Sequence, residues 1–137
     1  MNRGFASDKQ VGGIIVISDC YNANPVSMQS ALEYWRDLDP EKPHIAIIGD
    51  MLELGKSSEM YHCMIGAMLG EMEYSGLFTV GNYSRFYNTQ QGKHKHFDSS
   101  IEMLQDFPDL PVNSVVLLKA SHGIKLEILL PKLRGDE

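Results

Sequence analysis

The stretch Asp19-Cys20-Tyr21-Asn22-Ala23-Asn24-Pro25-Val26-Ser27-Met28 constrains this chain more than any other. It follows Gly13-Ile14-Ile15-Val16-Ile17-Ser18, a brief apolar run rich in β-branched residues, which reads as a buried strand because it is too short for a helix. Asn24 is a favourable N-cap, and Pro25 suits the first helical turn, where its missing N–H costs nothing, so a helix starts there and runs to about Leu38. Within it Met28, Ala31, Leu32 and Trp35 fall at i, i+3, i+4 and i+7 and form one apolar stripe. A polar turn at the C-terminal end of a buried strand, opening directly into a helix, is where α/β folds bind ligands.

The same alternation recurs downstream. Asp39-Pro40-Glu41-Lys42-Pro43 stops the helix, His44–Gly49 is a second buried strand, and a loop spans Asp50–Lys56. Ser57 or Ser58 opens a helix whose Tyr61, Met64, Ile65, Met68 and Leu69 repeat at helical spacing, ending between Gly70 and Gly76. Leu77–Gly81 is a third strand, residues 82–91 a short helix or turn, and Gln90–Lys95 an exposed loop. His96-Phe97-Asp98 reads as a short strand, followed by a helix over Ile101–Phe107 capped by Asp98 or Ser99 and broken by Pro108 and Pro111. Val112–Lys119 is the last strand, and Ala120-Ser121-His122-Gly123 leads to a C-terminal helix over Ile124–Leu130. Strands alternating with helices predict an α/β, three-layer αβα domain with a mostly parallel sheet, over residues 13–137. Residues 1–12, polar and without period, read as a flexible or truncated lead-in.

At 137 residues and 43% hydrophobic, the chain suits one domain that buries roughly two-thirds of its unfolded surface. A formal charge of −6 and a pI near 5.3 argue against nucleic acid or an anionic membrane as partner, since both demand clustered Lys and Arg. The cluster Lys93-His94-Lys95-His96 is too short to reverse that, and with no further ligands beside it His94 and His96 do not read as a metal site. Cys20 and Cys63 lack metal-ligand spacing and read as reduced thiols. No apolar run approaches the roughly 20 residues that span a bilayer, and no signal-peptide core is present, so a cytoplasmic protein without membrane insertion is expected.

In a parallel sheet the strand exits lie on one edge, so Asp19–Asn24, Gly49–Lys56, Gly81-Asn82 and Lys119–Gly123 should converge there. Gly49–Ser57 superficially suggests a P-loop, but five residues separate Gly49 from Gly55 where the phosphate-cradling loop has four. Asp50 and Glu53 would also repel phosphate.

Three segments carry a resemblance. Asp19-Cys20-Tyr21-Asn22-Ala23-Asn24-Pro25 with Ser27-Met28, Gly49-Asp50-Met51-Leu52-Glu53-Leu54-Gly55 with His62 in the next helix, and Lys119-Ala120-Ser121-His122-Gly123 with Leu126-Glu127 together resemble the C-terminal domain of the Mur ligase family. Within the family they are most similar to the branch that adds D-alanyl-D-alanine to the UDP-N-acetylmuramoyl-tripeptide of the peptidoglycan precursor. The resemblance extends from Ile14 to Leu133.

It implies a Rossmann-like domain that closes over ATP and helps position the acceptor dipeptide. The partners it implies are a central ATPase domain and an N-terminal UDP-sugar domain of the same longer chain. ATP and Mg²⁺ would serve that complete enzyme, neither held tightly by this domain, which has no catalytic residue of its own and is expected to be inactive alone. By the same resemblance Asp19 contacts the ATP ribose, Asn24 joins it on the ATP side, and Tyr21 and Asn22 face the cleft on the acceptor side. Asp50 and Glu53 line the acceptor side, and Lys119, Ser121 and His122 lie near the incoming dipeptide. His122 stands where the family usually has arginine, which removes a permanent bidentate cation. Cys20 and His62 read as packing residues. Two other readings stay open from the residues alone: the C-terminal domain of a folylpolyglutamate- or cyanophycin-type ligase, and a stand-alone flavodoxin-like module binding a nucleotide or a protein.

Overall fold

The computed structural model describes residues 6–9, 13–20, 22–87 and 93–135. Six strands form one sheet: β1 (Ala6–Lys9), β2 (Ile15–Asp19), β3 (His44–Gly49), β4 (Gly76–Val80), β5 (His94–Phe97) and β6 (Val115–Lys119), in the order β1-β2-β6-β3-β4-β5. All neighbours are parallel except β1, which pairs antiparallel with β2. Helices α1 (Pro25–Asp37) and α2 (Ser58–Gly70) cover one face, and α3 (Ser100–Gln105), a turn of 3₁₀ helix over Leu126–Leu129 and α4 (Leu130–Arg134) cover the other.

Every residue of β3 and β6 is buried, as expected of strands roofed on both sides. Alternate side chains serve opposite layers. Ile17, Ala46, Ile48, Leu77, Val115 and Leu117 pack with Met28, Leu32, Trp35 and Leu69. Val16, Ile45, Ile47, Val80, Val116 and Leu118 pack with Met103, Leu126, Leu129 and Leu133. The expected α/β three-layer architecture is therefore present.

Helix α1 begins as its residues dictate. Ser27 N–H donates to Asn24 Oδ1 at 2.9 Å, and Asn24 N–H donates to Ser27 Oγ at 3.0 Å, a reciprocal cap. Its stripe Met28, Ala31, Leu32 and Trp35 is buried, and Trp35 Nε1–H donates to the carbonyl of Val115, 2.9 Å away at the start of β6.

Four expectations need correction. Residues 6–9, read as part of a flexible lead-in, form β1, because β2 would otherwise present an unpaired edge and main-chain pairing needs no apolar pattern. His94 and Lys95 belong to β5 rather than to an exposed loop, with Thr79 Oγ1 at 2.6 Å from His94 Nε2 and 2.7 Å from His96 Nδ1. The C-terminal helix is interrupted: Lys125 at φ 62° separates 3₁₀ turns at His122–Ile124 and Leu126–Leu129, and regular helix resumes only in α4. Helix α2 turns its expected stripe inward through Ile65 and Leu69, with Tyr61 and Met68 packed at the core edge, but Met64 is exposed and Ser58, His62 and Gly66 are buried in addition. Close approach of the turn Ser84–Tyr87 decides that face. A Cβ on Gly66 would lie 3.0 Å from both Phe86 O and Tyr87 Cα.

Among the described residues no helix is long and apolar enough to cross a membrane.

Trp35→Phe should lower stability by about 2–4 kcal/mol, since it shrinks a fully buried side chain and leaves the Val115 carbonyl without its donor. Urea unfolding followed by far-UV circular dichroism should show a lower midpoint at unchanged slope.

Candidate functional site

The strand order creates a switch point at β6. Connections leaving β2 and β3 pass to α1 and α2 on one face, whereas the chain leaving β6 passes to the other, so a crevice opens at the β6 exit between its two neighbours. The register sets Asp19 of β2 and Ile48 of β3 beside Lys119.

A cleft of about 480 Å³ lies there. Its walls are Asn22, Ala23 and Asn24 after β2, Leu52, Glu53 and Leu54 after β3, and Ser121, His122 and Gly123 after β6. A larger hollow of about 660 Å³ sits at the opposite edge, around Lys42, His44, Tyr74 and Lys93. Polar groups there are engaged with the main chain: Lys93 Nζ donates to Tyr74 O at 3.2 Å, and the His44 ring nitrogens lie 2.7 and 2.9 Å from the carbonyls of Lys42 and Leu38. Parallel strands offer ligands their C-terminal edge, which selects the smaller cleft.

Lys119 organises that edge. Its side chain is 0% exposed, and Nζ donates to Asp19 Oδ2 and to the carbonyl of Asn22, each at 2.8 Å. Asp19, 16% exposed, remains at the rim. The ammonium thus holds both the carboxylate and the turn leading to α1. Expected beside the acceptor, Lys119 is instead a buried brace, because an unpaired ammonium in this interior would carry a large desolvation penalty.

Ser121 joins three loops. Leu52 N–H donates to its Oγ at 2.8 Å, its hydroxyl donates to Ala23 O at 3.3 Å, and its N–H donates to Asp50 O at 3.0 Å. His122 follows on the cleft wall, well exposed, with Nε2 3.8 Å from Glu127 Oε2. Asn24 lines the cleft while capping α1, and Asn22 is exposed at its mouth. Tyr21 lies outside the described residues. Cys20 is half-buried, 3.9 Å from the Leu118 carbonyl, and burial pushes its thiol up to about 11.

Asp50 departs from expectation. It is 2% exposed and does not line the cleft. Oδ1 accepts from Tyr83 N–H at 3.0 Å and Ser84 N–H at 2.7 Å, and Oδ2 from Asn82 N–H at 2.8 Å. The carboxylate fastens the β3 exit to the turn after β4. Gly81 makes this possible: it sits at φ 125°, and a Cβ there would fall 2.5 Å from the carboxylate. Glu53, by contrast, is exposed on the cleft wall, at φ 64°.

His62 completes the brace. Met51 N–H donates to Nε2 at 3.0 Å, so the proton resides on Nδ1, which donates to Ser58 O at 2.6 Å. The Tyr87 ring packs 5.1 Å away, and its hydroxyl donates to Gly49 O at 3.1 Å. Burial holds His62 below its ordinary value, and a proton on Nε2 would oppose the Met51 N–H. No sequence signal distinguishes the bracing role of Ser121 or Asp50 from a cleft role, because both depend on which loop the sheet brings alongside.

Asp19 is paired with a cation and Asp50 is surrounded by N–H groups, so these carboxylates do not fit a magnesium site; among the described residues no three His, Cys, Asp or Glu side chains converge on a metal position.

The family model described as Mur ligase, glutamate ligase domain, matches residues 6–122. The chain belongs to the Mur ligase family. It is 31% identical to the UDP-N-acetylmuramoyl-tripeptide–D-alanyl-D-alanine ligase of Bacillus subtilis (strain 168), over 91% of this chain and 29% of that one. It is 34% identical to the same-named ligase of Rickettsia prowazekii (strain Madrid E), over 82% and 26% respectively. Among solved structures, a MurF from Acinetobacter baumannii superposes with a TM-score of 0.81 at 25% identity, over 99% of this chain and 31% of that one. The MurF ligase of Thermotoga maritima, solved in complex with ADP, has the same fold, with a TM-score of 0.81 at 23% identity over 99% of this chain and 31% of that one. This Mur ligase chain therefore spans less than a third of the length of these relatives.

Asp50→Asn keeps the shape but turns an NH₂ toward backbone N–H donors, and should cost about 2–4 kcal/mol in urea unfolding. Amide exchange at residues 82–84 should accelerate with it. His62 carries a pH dependence of definite sign. Because its folded value lies below the ordinary 6.5, the unfolded chain binds the extra proton, so its stabilisation is complete above about pH 6.5 and is lost as pH falls below. His94, also lowered by burial, adds the same sign. The urea midpoint should drop on acidification below pH 6.5, and His62→Gln should fall less steeply than the parent over the same interval.

Proposed function

We propose that this chain is the acceptor- and nucleotide-covering domain of an ATP-dependent amide ligase. The ligase joins D-alanyl-D-alanine to UDP-N-acetylmuramoyl-tripeptide in peptidoglycan precursor synthesis, and so serves cell-wall growth, shape and division in the cytoplasm. The observation that carries this reading is the make-up of the cleft: three strand-exit segments, 22–24, 52–54 and 121–123, stitched through Ser121 and offering polar contacts with no metal-binding set among the described residues. Such a cleft positions substrates whose activation is supplied elsewhere, here by a central ATPase domain of a longer polypeptide with an N-terminal domain for the UDP-sugar.

In this reading Asp19, oriented by Lys119, accepts a hydrogen bond from the ATP ribose, with Asn24 beside it at the helix start. Asn22, Ser121 and His122 border the acceptor, with Tyr21 assigned to the same side. Lys119 and Asp50 act through the loops they hold. ATP phosphorylates the precursor's carboxylate, and the dipeptide amine attacks the acyl phosphate. This domain contributes orientation and exclusion of water to that step.

The 137-residue chain should fold yet release no phosphate from ATP with magnesium. Its ATP affinity should be weaker than micromolar, because one charge-assisted bond at Asp19 supplies about 1.5–3 kcal/mol of the roughly 8 needed. In the complete ligase, Asp19→Ala should raise the ATP KM about ten- to hundredfold and move the dipeptide KM far less. ATP turnover by the isolated chain, or the opposite KM pattern, would overturn the assignment.

A further inference from the structure

Helix α2 turns little charge outward: Glu59 in its first turn is its one charged residue. From Met60 to Gly70 its sequence contains no charged residue. Ser58, His62, Ile65, Gly66 and Leu69 face inward, so at about 3.6 residues per turn Met60, Cys63, Met64 and Ala67 share the opposite side. All four are exposed, Met60 by 53% and Met64 by 54%. Met68 and Tyr61 flank this stripe and pack against the core edge. Helices on the surface of a soluble domain ordinarily turn charge outward, and one that is apolar all round is normally covered.

The patch is too small to hold two free molecules together. A stable association of separate proteins needs about 800 Å² and 20–30 residues per side, whereas this stripe presents four side chains. A covering body that is already tethered needs far less, because the linker supplies an effective concentration of about millimolar. Relatives of this chain are more than three times its length, which is where such a body would come from. Position agrees: α2 starts immediately after the cleft wall at 52–54, through the 3₁₀ turn Gly55–Ser57.

We propose that the Met60–Cys63–Met64–Ala67 face is a docking surface for another domain of the same polypeptide, met by an uncharged apolar surface on that domain. This rests on the reading that the chain is one domain of a longer ligase. Docking there fixes the flank of the cleft relative to the rest of the enzyme, and methionine suits a contact that must break and reform because its side chain repacks at little cost.

Cys63 is a built-in probe at the centre of the face. It is exposed, while the half-buried Cys20 thiol, raised to about 11, reacts slowly. The experiment measures maleimide labelling of the Cys63 peptide by mass spectrometry, in the 137-residue chain and in the product of the complete reading frame. Labelling in the longer protein should be at least about tenfold slower, equivalent to about 1.4 kcal/mol of docking. Met60→Glu with Met64→Glu should restore fast labelling there, while leaving the melting temperature of the 137-residue chain unchanged. Equal rates in the two proteins, or protection that survives the double substitution, would overturn the proposal. So would protection that disappears on dilution of the longer protein, since it would identify a second copy as the cover. Ligase activity, assayed separately on the longer protein, tests the reading beneath it; an active ligase with unprotected Cys63 refutes the docking surface alone.

Discussion

A single buried ammonium sets the geometry of the functional edge. Lys119 ends the central strand β6 with its side chain wholly out of water, and a charge in that position persists only if opposite charge and hydrogen-bond acceptors surround it. Asp19 and the Asn22 carbonyl meet that demand, and both come from the exit of β2. Removing either partner would leave a buried charge worth several kcal/mol of destabilisation, far more than an exposed ion pair such as Arg36–Asp37 contributes. The β2 exit is consequently tied to β6, and the polar turn that opens α1 cannot swing away from the cleft.

The β3 exit is held by a second set of polar groups with different chemistry. Asp50 gathers three backbone N–H groups from the turn after β4, His62 accepts from Met51 N–H, and Ser121 accepts from Leu52 N–H. Buried backbone donors must be paired somewhere, and here side chains pair them where the sheet ladder has ended. Loops braced in this way present Asn22, Glu53 and His122 on the cleft wall with their side chains exposed, while Ser121 beside them is spent on the brace. Rigid backbone with exposed polar tips is the combination a substrate-positioning surface requires.

The outer surfaces follow a looser logic. Charge is spread widely, yet the apolar outer face of α2 stands apart from it, next to the cleft it adjoins in sequence.

Much of this was legible without a structure. The β-branched runs at 14–17, 45–48 and 115–118 announce strands buried on both faces, Asn24-Pro25 announces a helix start, and the three loop segments announce a Mur ligase domain. These signals are local: periodicity and capping act within a few residues, so the sequence by itself determined the α/β class, most of the elements and the sheet edge on which the strand-exit loops converge. Strand β1, the outward position of Met64 on α2, and the inward turn of Lys119 and Asp50 were decided only by the tertiary structure. The two side chains depend on partners distant in sequence, Asp19 lying 100 residues from Lys119 and Ser84 34 from Asp50, whereas β1 is set by main-chain pairing that leaves no apolar pattern to read. A lysine or aspartate at a strand exit looks alike in sequence whether it points at a ligand or at the backbone of the next loop; only the packing that removes it from water makes the choice.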